Sequence, residues 1–182
     1  MNRNLTGIPG HIMSALGAVL SIFVLSIVIA GPTLGYALSL AIFLFFALPM
    51  TFMMYSGGKS RFWMKINVVD WLFTLLAAVS IGYLIVNAKH ILTRIEYVSE
   101  ISTFEMAMGL LGILAVLEAT RRAMGTAMAV IALILLIYVA YGHHLPSAFG
   151  HSGYGWDWIV DTMYLTSKGI FGSPLWVVIT LA

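Results

Sequence analysis

Glu118, Arg121 and Arg122 are the charged residues whose spacing says most about chemistry. At i, i+3 and i+4 they share one face of any helix that carries them, so the carboxylate can pair with either guanidinium. Two readings of such a cluster stay open. It is either a coupling point where one helix docks on another, or a snorkelling group that closes a membrane span at headgroup level. The histidines offer less. His143, His144 and His151 could be read as a metal site, but the spacing is not the i, i+4 pair of a helical zinc motif. Pro146 and Gly150 interrupt the stretch, no clear third carboxylate completes it, and a wet loop explains it better. His11 and His90 fall near the ends of apolar stretches, whereas a haem held between helices needs paired axial histidines well inside the bundle. The chain has no cysteine, which removes disulfides, thiolate metal sites and Cys nucleophiles. It also has no Ser–His–Asp pattern and no Gly-rich phosphate loop. No catalytic, cofactor-binding or metal-binding residue is therefore expected, and the chain is not read as an enzyme.

The elements that must position these residues are membrane helices. The 182 residues are 61% hydrophobic and 9% charged, with a mean hydropathy of +1.00. Soluble domains run near 25% charged, and a chain of this size cannot hide so much apolar surface from water. The net charge of +2 is too small to suggest a nucleic-acid partner. From His11 to Ala30 there is no charged residue, over about the 20 residues that cross hydrocarbon. Arg3 ahead of an apolar run could mark a signal peptide, but the run is too long for one and further spans follow. Gly31-Pro32 turns the chain into a second span, Gly35 to Tyr55, so the two should form an antiparallel hairpin, with a kink at Pro49. A third span covers Val68 to Val86, with Asp70 near its entrance. A fourth runs from about Phe104 to the Glu118–Arg122 cluster, and a fifth from about Met124 to Tyr141. No ionisable residue falls at mid-span, where a proton or ion relay would need one. Small residues in the first span, Ser14, Gly17, Ala18 and Ser21, permit close helix contact but are weakly specific.

The remaining segments are polar or amphipathic. Ser56–Asn67 reads as a loop with Trp63 at headgroup level, and Asn87–Thr103 as another. Between Tyr154 and Phe171, Trp156, Ile159, Val160, Met163 and Tyr164 fall on one helical face, with Asp157, Asp161 and Lys168 away from it. That pattern predicts an amphipathic helix in the outer interface, which would also brace whatever follows. From Pro174 to Ala182 an apolar run begins like a sixth span, which suggests a longer protein of which this is the N-terminal part. The polar segments alternate sides. Arg3, Lys59, Arg61, Lys65, Arg121 and Arg122 fall on one, and Lys89, Arg94 and Lys168 on the other. The positive-inside rule then puts the N-terminus in the cytoplasm. The expected fold is all-α, a polytopic helical protein of five spans, an interfacial helix and the start of a sixth span.

Three stretches carry a family resemblance. They are Val116-Leu-Glu-Ala-Thr-Arg-Arg122, Leu145-Pro146, and Tyr164-Leu-Thr-Ser-Lys-Gly-Ile-Phe-Gly172 with Pro174-Leu175. The chain resembles the fused permeases of tripartite ATP-independent periplasmic (TRAP) transporters, in the branch that works with a TAXI-type binding protein. The resemblance implies a small-subunit-like scaffold of four helices over residues 1–122, a connecting helix and periplasmic loop over 123–153, and the start of the large permease domain over 154–182. It also implies a bacterial inner-membrane location, a periplasmic solute-binding protein and the rest of the permease as partners beside membrane lipid, and sodium as coupling ion. The family's sodium and substrate sites would lie beyond residue 182, and the chain is far shorter than the fused form. The competing reading is a membrane anchor subunit of a redox enzyme using His11, His90 or His143 and His144. A membrane-embedded hydrolase lacks a nucleophile–base pair.

Overall fold

The structure, a computed structural model, describes residues 8–32, 34–58, 67–146 and 150–181. Arg3, Lys59, Arg61, Trp63, Lys65 and Ala182 lie outside the described residues. The described chain is helical: α1 Ile8–Ala30, α2 Tyr36–Met54, α3 Val68–Val86, α4 Ala88–Thr93, α5 Thr103–Ala123 and α6 Thr126–Tyr141. A 3-10 turn over Gly142–His144 follows, then α7 Trp156–Val160, a π-helical turn Asp161–Leu165 and α8 Ser173–Leu181. Five helical stretches, α1, α2, α3, α5 and α6 continued through the 3-10 turn to His144, are long and apolar enough to cross a membrane. In hydrocarbon a backbone must satisfy its own polar groups, which leaves a bundle of helices as the available architecture for these spans.

Local chemistry sets the helix ends. Gly31 and Gly35 adopt φ of +75° and +85°, values that a side chain disfavours, and the Gly35 N–H donates to the Pro32 carbonyl at 2.8 Å. That reversal lays α1 antiparallel on α2, which runs on through Pro49. Gly125, at φ +101°, makes the short turn from α5 to α6. α3 and α5 each start with a capping box. Asn67 Oδ1 accepts from the Val69 and Asp70 amides, and Asp70 Oδ2 accepts the Asn67 N–H at 3.0 Å. Ser102 and Glu105 repeat the device, with Glu105 Oε2 2.9 Å from the Ser102 N–H.

Helices α2, α3 and α5 form the centre, where Leu40, Phe52, Ala77, Ile81 and Ala115 are buried. The flanking helices stay apolar and open: Ile22 and Ile29 of α1, and Ile131, Ile134 and Leu135 of α6, are exposed, as lipid-facing side chains are. α8 packs on α1 and α2, with the Trp176 ring 4.8 Å from that of Tyr36.

The segment expected as one amphipathic helix is built differently. Its α-helix ends at Val160, and the π turn, closed by the Thr166 N–H on the Asp161 carbonyl at 3.1 Å, adds a residue to the helical register. Ile159, Val160 and Tyr164 face inward as expected, and Trp156 stays exposed. Asp161, however, is buried at 3% exposure rather than turned to water. The surface that receives the segment is a flat strip on α5. A methyl group at Gly112 would lie 2.7 Å from Ser80 Oγ and 2.9 Å from Tyr164 Cε2, and one at Gly109 would collide with Val160. Gly17 of α1 is under no such pressure, since a methyl there would meet Met50 at an ordinary 3.6 Å.

Candidate functional site

The charged side chains gather at the two ends of the bundle. At the end shared with the start of α1, the Arg122 and Asp70 side chains have 0% exposure and pair at 2.5 Å between Nη1 and Oδ1. Arg122 Nε donates to Glu118 Oε1 at 2.7 Å. Arg121 approaches the same carboxylate with two nitrogens, each at 2.7 Å, and reaches the Gly57 carbonyl at 3.0 Å. The Arg122 guanidinium carbon also lies 5.2 Å from the Phe52 ring and 5.6 Å from that of Phe73. Its Nη1 is 3.4 Å from the Phe52 carbonyl, in the last turn of α2, where carbonyls lack helical partners.

Arg122 makes its contacts across helices, to Asp70 of α3 and the Phe52 carbonyl of α2. It ties α5 to α2 and α3 inside the packed bundle and does not reach for the surface. Arg121 is partly exposed and closer to a snorkelling residue. The partner that sequence reasoning missed is Asp70. Its signal was a lone acid in the first turn of an otherwise uncharged span, on the side where the cluster ends. With two carboxylates and two guanidinium groups the site is balanced, and its chemistry is that of a lock.

The opposite end is wired through Arg94. This side chain pairs with Asp161 at 3.4 Å, and its other terminal nitrogen donates to the Ser99 carbonyl at 3.0 Å. The Tyr97 amide donates to Asp161 Oδ2 at 3.0 Å. To do so, Tyr97 adopts φ +63°, an uncommon conformation for a residue with a bulky side chain. Its ring stacks on Trp158 at 5.8 Å, and Trp158 stacks on Tyr154 at 4.0 Å. Lys168 sits 4.8 Å from the Tyr97 ring and 2.9 Å from Glu96. The hydrogen bond to Glu96 raises the Lys168 pKa above its ordinary value. Deeper in, the Tyr164 hydroxyl donates to the Ser80 carbonyl at 2.5 Å, and Ser80 Oγ donates to the Met108 carbonyl at 2.8 Å. This knot joins α3, α5 and the π turn.

The histidines are not brought together as a site. His11 is exposed near the start of α1, and His90 lies at the other end of the bundle, 3.6 Å from Glu105. The His143 and His144 ring centres lie 3.9 Å apart with the rings tilted by 47°, while His151 donates to the Tyr138 carbonyl at 2.9 Å and accepts from the Gly153 amide. Among the described residues, no group of three or more His, Asp or Glu side chains is placed to hold a metal ion. Compared with protein-family models, curated proteins and solved structures, the chain matched none.

Proposed function

We propose that this chain is a membrane permease component of a binding-protein-dependent, sodium-coupled solute transporter, acting mainly as its scaffold. It would sit in a bacterial inner membrane with its N-terminus in the cytoplasm. The observation that carries the reading is the buried Asp70–Arg122–Glu118 network, which joins the central helices into one stiff, internally neutralised body. A scaffold must keep its shape while a neighbouring domain moves, and rigid cross-linking of this kind serves that need. The Tyr164 and Arg94 contacts extend it to the segment from Trp156 to Gly172, which connects to the apolar run of α8. The resemblance quoted above adds the transport context. Transport sites on this reading belong to further permease residues, with the open faces of α1 and α6 available to lipid or to those helices.

Reconstitution of the native gene product in vesicles tests the reading. Uptake should need both a sodium gradient and the secreted binding protein encoded beside the gene. A native reading frame ending at Ala182 with no such neighbour would remove the transport reading, and a haem band in the visible spectrum would favour the redox-anchor alternative. Orientation is separately testable because the chain lacks cysteine. Glu100→Cys should react with an impermeant maleimide added outside intact cells, and Met124→Cys, exposed in the turn between α5 and α6, should not; the reverse pattern inverts the topology.

A further inference from the structure

At the end of the bundle away from the start of α1, a cavity of about 110 Å³ opens between α2, α3, α4 and the segment after the π turn. A water needs at least roughly 10–15 Å³ of such space and takes about 30 Å³ in the liquid, so the cavity has room for several water-sized groups. One side is apolar, formed by Leu38 and Ala41 of α2, Leu84 of α3 and Phe171. The other carries Arg94, Glu96 and Asp161. Ala41 lies about 8 Å along the axis from the start of α2 at Tyr36. The cavity therefore spans the depth at which lipid headgroups give way to acyl chains.

We infer that this cavity receives the headgroup of a zwitterionic phospholipid, for which phosphatidylethanolamine is the probe. The argument is charge complementarity. Arg94 pairs with Asp161 at 3.4 Å and donates to the Ser99 carbonyl at 3.0 Å, one contact from each terminal nitrogen, and a guanidinium carries five N–H donors, which leaves others for a phosphate. Glu96 is 45% exposed beside Lys168 and can accept a lipid ammonium. With Lys168 counted, the rim holds two cations and two carboxylates, Arg94 and Lys168 against Glu96 and Asp161. A headgroup bearing both signs matches that rim, whereas an anionic headgroup brings a charge it leaves unbalanced. The inference is independent of the transport reading.

Native mass spectrometry of the purified full chain, titrated separately with phosphatidylethanolamine and phosphatidylglycerol, reads the preference. The zwitterionic lipid should bind about tenfold more tightly, as one additional charge-assisted contact allows. Ala88→Phe places a ring in the cavity from α4 and should abolish the preference, while Ile134→Phe on the open face of α6 should keep it. Should the Ala88 variant fail to unfold cooperatively, Glu96→Gln removes the ammonium acceptor and should bring the two lipids to parity. Equal binding of the two lipids by the wild type overturns the inference. So does a full preference surviving in a folded Ala88→Phe chain or in Glu96→Gln.

Discussion

Helices α3 and α5 open with the same device, and their acids meet different fates. Asp70 and Glu105 both occupy the third position of a capping box, both accept the N-cap amide, and both are buried. Asp70 is neutralised by a fully buried arginine. Among the described residues, Glu105 has His90 as its ion-pair neighbour, 3.6 Å away and 67% exposed, and its Oε1 accepts no hydrogen bond. Antiparallel packing explains the difference. The last turn of α5 lies beside the first turn of α3 and delivers Arg122 to Asp70. At the other end the buried cation is Arg94, and it pairs with Asp161 on the connecting segment rather than with Glu105. The same local motif is thus a lock at one end and a plain helix start at the other, according to where the nearest cation is spent.

The largest test of this contrast is Arg122→Leu. It leaves Asp70 buried without its cation and should cost about 3–5 kcal/mol, read as the unfolding midpoint in detergent. Adding Asp70→Leu should recover much of that loss, because exchanging both members for apolar groups is often close to neutral. Gly112→Ala comes next. Overpacking against Ser80 and Tyr164 should cost about 1–3 kcal/mol, while Gly17→Ala should be neutral or stabilising. Glu105→Gln keeps the capping box and removes a poorly partnered charge, so a change of about 1 kcal/mol or less is expected. A loss as large as that of Arg122→Leu would erase the distinction between the two ends. Smallest is Lys168→Gln, at an exposed pair. The folded Lys168 pKa is raised, so its contribution is complete below the ordinary value of 10.5 and fades as pH rises through the folded value. The midpoints of wild type and variant should differ at pH 8 and converge in strong alkali or high salt.

The spans were legible because apolarity and length are local properties. The expected third span, Val68 to Val86, coincides with α3, and the hairpin at Gly31-Pro32 follows from glycine conformations. Pairings were less legible. Asp70 and Arg122 stand 52 residues apart, and no periodicity links them. Asp161 was misplaced because a helical projection assumes α geometry, while a π turn begins at that residue and the buried Arg94 makes its burial tolerable. The glycines that matter for close packing are Gly109 and Gly112 rather than the small residues singled out in α1. Their spacing is visible in the chain, but the aromatic and branched residues that fill it come from a segment about 50 residues on.

The Asp70–Arg122 pair also bears on how the chain enters the membrane. Synthesis delivers α3 first, with an uncompensated carboxylate in its first turn, and the guanidinium that answers it arrives only when the last turn of α5 has been made. Charged groups carried into hydrocarbon alone are disfavoured, so α3 gains a reason to stay beside the insertion machinery until its partner emerges. A chain interrupted between the two helices carries the Asp70 carboxylate without the guanidinium that answers it in the finished bundle.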